Sequence, residues 1–229
     1  RKEMEKASPD CAQCPYRSEQ RLCRSSDGKF PAQCPTRAKG FLIEQSVTEY
    51  RKPDVREFAR QASIQEAEGY SGREPGGTCL RPLKPRILEI VEFARKMAYK
   101  RLGLAFCGGL GKEARIVGSF FASHGFDVVS VVCKVGRVPK EEIGILDHEK
   151  VRIGKFEVMC NPILQAGVLN EERTEMNVLL GLCVGHDSLF LKYASAPCTV
   201  LAVKDRVLVH NPLAGVYALD HYCRYLKPF

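Results

Sequence analysis

Residues 102–115 read LGLAFCGGLGKEAR. An apolar run ends at Cys107, a glycine-rich turn follows, and Lys112, Glu113 and Arg115 begin what reads as a helix. A short apolar run without alternation is the pattern of a strand buried on both faces, as in a parallel sheet. The pattern recurs: VVSVVC ends at Cys133, FEVMC at Cys160 and NVLLGLC at Cys183. Ligands of open α/β sheets bind outside the carboxyl ends of the strands. Four cysteines at four such ends would face one crevice, and the expectation is a shared metal or cluster site.

Working outward, residues 102–133 form a strand, a glycine turn, a helix over 112–124 and a strand over 126–132, which is a βαβ unit. An amphipathic helix over 84–100 precedes it, with Ile87, Ile90, Val91, Ala94, Met97 and Ala98 on its apolar side. Residues 135–154 are polar and weakly periodic, and read as a short helix or a loop over the site. Pro162 suits the first turn of a helix through Asn170. EMNVLLGLC is a strand, and VGHDSLFLKYASA a turn and helix that Asp187 or Ser188 would cap. CTVLAVKD and RVLVH read as strands, and NPLAGVYALDHYCRYL as a closing helix. The predicted fold is α/β: a mainly parallel, Rossmann-like sheet with helices on both faces, over residues 80–229.

A Cys-rich, helical part precedes this domain. After a loose basic lead-in (1–10), Cys11, Cys14, Cys23 and Cys34 follow one another as C-x2-C-x8-C-x10-C among Pro, Gly and Ser. So few apolar residues cannot build a core, and a metal would be the staple. Residues 1–37 are read as a metal-binding segment. Residues 38–79 are read as a helical segment (38–52 and 54–68, parted by Pro53) and a linker. Cys79, in the linker, is read as a bystander.

The chain has 229 residues, 45% of them hydrophobic and 27% charged, an ordinary globular composition. No apolar run approaches the ~18 residues of a membrane span. The first forty residues are polar and show no secretory signal. The sequence opens on Arg1, which leaves room for a few residues before it. Eleven cysteines is a high and odd count for a chain of this length, and points to a reducing cytoplasm and thiolate–metal chemistry rather than a disulfide scaffold. The formal charge is +8 with every thiol neutral. A four-thiolate zinc or cubane site carries about −2, so two such sites would leave about +4. The basic balance therefore need not signal nucleic acid. Acids are interspersed, no dense basic run or stacking-aromatic motif is present, and nucleic-acid binding is not expected.

Gly108, Gly109 and Gly111 follow a strand and open a helix, but their G-G-x-G spacing departs from the dinucleotide fingerprint. The second strand ends in Cys133 and Lys134 rather than the acid that a ribose needs. These glycines are read as an anion site for a substrate or for the charge of a cluster. A buried cysteine can simply be a small hydrophobe. That explains one or two of the four strand-end thiols, but four at matched positions poorly. Cys198 starts a strand and belongs at the far edge of the sheet, and Cys223 reads as core. Among polar residues near the strand ends are Lys134, Asn161, His186, Asp187, Lys204, Asp205, Arg206, His210 and Asn211. Lys134 and His186 are the candidate catalytic residues, handling protons or a substrate anion. The plain alternative for His186 is a histidine at a helix start, and for Asp205 a hairpin charge. His124 and His148 read as surface residues.

AFCGGLGKEA, SVVCKVGRV, FEVMCNPILQAGVLN, NVLLGLCVGHDSLF and VKDRVLVHNPL, together with the Cys-rich N-terminal stretch, resemble a family of uncharacterised proteins from archaea and mainly anaerobic bacteria. That family is labelled as a predicted metal-binding domain of unknown function. The resemblance implies cysteine-bound metal, with matches at Cys11, Cys14, Cys23, Cys34, Cys107, Cys133, Cys160 and Cys183, and implies no particular reaction. The cysteine arrangement is also loosely similar to that of desulfidases, which hold a cubane by three cysteines.

The expectation is a cytoplasmic cysteine-ligated metalloprotein. An iron–sulfur (4Fe-4S) cluster at the strand ends would act on a small sulfur-containing or redox substrate, and the N-terminal four would hold zinc or a second cluster. The alternative is a zinc-binding regulatory or interaction module without enzymatic activity. A third reading is electron carriage to a redox partner.

Overall fold

The structure is a computed structural model that describes residues 8–75 and 79–228. Most of the lead-in and the centre of the linker (76–78) lie outside the described residues. The chain divides into two compact units, residues 1–64 and 65–229.

The first unit holds the four N-terminal cysteines and the helices α1 (Pro35–Ala38), α2 (Gly40–Glu49) and most of α3 (Pro53–Glu68). Pro35 and Pro53 each open a helix, where a missing N–H costs nothing. No described residue of this unit is fully buried. Its order comes from tight turns. Leu22 donates to Lys29 O (3.0 Å) and Lys29 to Gln20 O (2.7 Å), folding residues 20–29 back on themselves.

The second unit begins with the last turn of α3. Two short strands within the linker, β1 (Tyr70–Ser71) and β2 (Arg81–Pro82), pair antiparallel. Then come α4 (Arg86–Lys96), β3 (Arg101–Phe106), α5 (Gly111–Ser123), β4 (Asp127–Val132), α6 (Pro162–Glu171), β5 (Met176–Leu182), α7 (His186–Tyr193), β6 (Cys198–Val203) and α8 (Pro212–Tyr217). The strands β3 to β6 form one parallel sheet in the order β4-β3-β5-β6. All seven residues of β5 are buried, as are Leu102 to Ala105 of β3, while the edge strands β4 and β6 are only partly covered. This is why β3 and β5 read as unbroken apolar runs.

Successive strand residues point to opposite faces, and the core divides accordingly. Leu102, Leu104, Val178 and Leu180 pack with Ile90, Val91 and Ala94 of α4 and Ala114, Val117 and Phe121 of α5. Ala105, Val131 and Leu179 pack with Ala166 and Leu169 of α6 and Phe190 of α7. Gln165 of α6, wholly buried, donates to Val131 O (2.8 Å) and Phe106 O (3.3 Å), tying the carboxyl ends of β4 and β3 together from beneath. At the outer edge, Arg86 donates to Val200 O (2.6 Å) and Thr199 Oγ1 (2.9 Å) of β6.

Several sequence expectations are corrected. FEVMC is not a strand of the sheet. It makes an isolated antiparallel bridge between Pro139 and Val158. RVLVH is a turn, because the Asp205 carboxylate accepts from the amides of Val207 (3.0 Å) and Leu208 (2.8 Å) and holds the chain in a loop. The closing helix stops at Tyr217, and the chain continues through turns to a 3-10 turn at Arg224–Leu226. Cys223 is half-buried there. The N-cap of α7 is Gly185, at φ 84°, and neither Asp187 nor Ser188 caps it. His124 is half-buried, its ring 4.5 Å from that of Phe120, while His148 is exposed.

Candidate metal and substrate site

The residue immediately past each strand of the sheet is Cys107 (β3), Cys133 (β4), Cys183 (β5) and Lys204 (β6). Three of the four predicted thiols thus reach the carboxyl rim as read from the sequence. Cys160 arrives by another route. The amide of the next residue, Asn161, donates to Cys133 O (2.8 Å), which hangs the 156–160 run on the end of β4. Asn161 also caps α6, its Oδ1 accepting from Leu164 N (3.0 Å). One residue therefore fixes both Cys160 and the helix behind it.

All four sulfurs border one cavity of about 530 Å³, together with Gly108, Gly109, Lys134, His186 and Arg206. Gly111 opens α5 and is not among the lining residues. The Cys133 and Cys160 sulfurs are 3.8 Å apart, and Gly108 N donates to Cys133 Sγ (3.3 Å). The first two amides of the glycine turn serve cysteine sulfurs: Gly109 donates to Cys107. A Cβ on Gly109 would stand in ordinary contact with Lys204 Nζ (3.5 Å) and Cys107 Sγ (3.9 Å), which places the glycine turn directly beside this pair.

The three outer thiols each have a cationic partner. Lys204 bonds to Cys107, Lys134 to Cys160, and Arg206 Nη2 to Cys183 Sγ at 3.2 Å. Cys133 lies between Cys107 and Cys160 and is 3% exposed. The Cys133 thiol, the Gly109 amide and Lys204 together hold the pKa of Cys107 down to about 4 against the opposing effect of burial. Cys160 is held down to about 6, by the Cys133 thiol first and then by the charges of Lys134 and His186. Cys133 is pushed far up, because its neighbours on either side and its burial favour the neutral thiol. A single thiol proton serves one sulfur at a time, so the two thiolates compete for it.

These shifts give a testable pH dependence. An unfolded cysteine titrates near about 8.5. The lowered values at Cys160 and Cys107 contribute stability that is full above that pH and is lost as pH falls through about 6 and about 4. The raised value at Cys133 contributes stability that is full below about pH 8.5 and declines above it. Reduced, metal-free protein is therefore expected to have its highest Tm near about pH 8.5, falling toward acid. A Tm unchanged between about pH 4 and 8, followed by differential scanning calorimetry, would contradict the thiol arrangement.

His186 opens α7 and lines the cavity; its Nδ1 is buried and has no hydrogen-bond partner. Sequence reasoning gave no role to Lys204 or Arg206 individually. The signal for Lys204 was present, since LAVK (201–204) ends as VVCK (131–134) does, with a lysine at the end of an edge strand.

Elsewhere, Cys11, Cys14, Cys23 and Cys34 border a second cavity, of about 50 Å³. Cys14 N approaches Cys11 O (3.4 Å) in a tight turn, and Cys34 precedes α1. Cys198 starts β6 at the opposite end of the sheet, near Asn177 Nδ2 (4.0 Å), and burial raises its pKa. Cys79 is exposed. Among the described residues, no three His, Cys, Asp or Glu side chains are grouped as they stand so as to hold a metal ion. No helix of the described residues is long and apolar enough to cross a membrane.

Fold and site together define an α/β protein with a thiol-lined, cation-bordered cavity at the carboxyl rim of a parallel sheet. The family described as "Protein of unknown function (DUF1847)" matches residues 34–201, and the chain belongs to it. The matched stretch includes all four rim cysteines and Cys34, and excludes Cys11, Cys14, Cys23, Lys204 and Arg206. The chain is 40% identical over 179 residues to "Uncharacterized protein MJ0455" of Methanocaldococcus jannaschii, covering 78% of this chain and 85% of that one. No solved structure matches the chain.

Proposed function

We propose that the protein is a cysteine-ligated metalloprotein whose sheet-rim cavity holds an iron–sulfur cluster and acts on a small sulfur-containing or redox substrate. One observation carries this reading: four thiols from four separate segments border one cavity, and three of them have a cationic partner. Soft thiolate ligands select zinc and iron–sulfur clusters. The volume of about 530 Å³ is that of a small-molecule site and far exceeds what one ion needs. The parallel strand order, with the cavity at the carboxyl ends of β3, β4 and β5, supports a Rossmann-like reading of the sheet.

Cys107, Cys160 and Cys183 are the ligands, each with a cation to balance a thiolate. Cys133, bonded to Gly108 N and its neighbouring sulfurs, is the fourth thiol, available as ligand or nucleophile. A cluster held by three cysteines supplies an open iron with affinity for sulfur. Lys134 and Arg206 would orient a substrate anion, and the free Nδ1 of His186 would hold or release a proton. The N-terminal four, around a much smaller cavity, would hold a zinc ion or a second cluster that staples a unit with no buried residue among those described.

A second reading is a zinc-stabilised module. It is favoured by the 3.8 Å between the Cys133 and Cys160 sulfurs, which is about the edge of a tetrahedral site with Zn–S bonds of ~2.3 Å. Anaerobic purification decides between them. Iron, acid-labile sulfide and broad visible absorption are expected. A colourless protein with stoichiometric zinc and no iron would overturn the iron–sulfur reading.

A further inference from the structure

We infer that the ligand of the sheet-rim cavity is a small amphipathic anion, an acid group carrying a short aliphatic portion. The inference names the substrate class of the site just proposed and rests on that cavity being the place of reaction. Its lining has two chemistries. One part is cationic and polar: Lys134, Arg206 and His186. Lys134 donates to Val158 O as well as to the Cys160 sulfur, and an ammonium with three N–H donors keeps one for a ligand. A guanidinium has five N–H donors, and the Cys183 sulfur takes one from Arg206. The buried, unpartnered Nδ1 of His186 adds a polar group with no protein partner. The acid in the lining, Glu157, is neutralised by Lys140 at 3.2 Å, with both side chains less than a fifth exposed, so it does not oppose an anion.

The other part is apolar: Ile143, Ile145, Val151 and Met159, all from the excursion between β4 and α6. This wall is built. Lys140 N donates to Glu157 O (3.0 Å) and Met159 N to Val138 O (2.9 Å), closing its base. Lys150, its side chain 7% exposed, pairs with Glu141 (2.5 Å) and Asp147 (3.1 Å), and Asp147 accepts from Gly154 N (2.9 Å), closing its tip. Yet Ile143 and Val151 keep 61% and 83% of their surface exposed. A bare acid such as acetate would use the cations and leave this aliphatic surface wet. A longer acid would cover it.

The test is isothermal titration calorimetry of the full-length, anaerobically purified protein with acetate, hexanoate and hexylammonium. Hexanoate is expected to bind about tenfold or more tightly than acetate, and hexylammonium not to bind. The double variant Ile143→Asn, Val151→Asn changes only exposed side chains and should abolish the chain-length preference. Lys134→Gln should weaken both acids. Equal affinity for acetate and hexanoate, binding of hexylammonium as tight as that of hexanoate, or no heat with any of the three overturns the inference. Iron assayed on the same preparation separates it from the preceding proposal. A hexanoate preference without iron keeps this inference and removes the iron–sulfur reading; iron without the preference does the reverse.

Discussion

A Gly181→Val variant is expected to lose about 3–5 kcal/mol of stability and to lose the site geometry with it. Gly181 lies inside β5, yet its φ is 68°, in the left-handed region that β-branched residues avoid. The β5–β6 register shifts just before it, between Leu179 and Leu180, and again across it, between Leu180 and Leu182. Such irregularities bend a strand and re-aim the side chains beyond it, and the next rim residue is Cys183. A Cβ at this position would come within 2.1 Å of Leu110 Cδ1, in a buried residue of the glycine turn, and 4.0 Å of Lys204 Cε. Backbone strain and overpacking therefore act together. Chemical denaturation should show a lowered midpoint, and thiolate ultraviolet absorbance at neutral pH should fall as the displaced Leu110 shifts the glycine turn whose Gly109 amide donates to Cys107. A midpoint equal to that of the wild type would mean that the turn has room that the packing does not show.

Cys107→Ala and Cys160→Ala are each expected to reduce iron retained after anaerobic gel filtration by at least about tenfold, while Cys198→Ala retains it. The contrast rests on position. Cys107 and Cys160 border the cavity with Lys204 and Lys134 beside them. Cys198, as buried as either, lies at the far end of the sheet among Asn177 and Ala196 O. All three changes remove a half-buried thiol, so a packing effect alone would treat them alike. Unchanged iron in both rim variants would show that neither sulfur is an essential ligand.

The parts of this protein legible in its sequence are those where one physical rule dominates. β3 and β5 are buried on both faces, so their apolar runs are unbroken and their ends are marked by Cys107 and Cys183. Pro162 and Asn161 mark the start of α6 for equally local reasons. FEVMC misled because an extended run within an excursion has the same composition as a strand, and periodicity cannot separate the two. RVLVH misled because its β-branched residues suit a strand, while the Asp205 carboxylate two residues before Val207 closes a turn. The pairing of Cys107 with Lys204 depends on β6 lying beside β5 in a particular register, which no local pattern contains. The apolar wall from Ile143 to Met159 was hidden for a similar reason: its residues are scattered among charges that turn out to pair with one another.

The origin of the rim sulfurs in four distant segments sets an order of events during synthesis. Cys11 to Cys34 leave the ribosome together and can meet while the remainder is still being translated. The rim pocket has no such option, since Cys107 finds its lysine only after residue 204 has been made and the last crossover has closed. The rim cavity is thus complete only after the last strand of the sheet is in place.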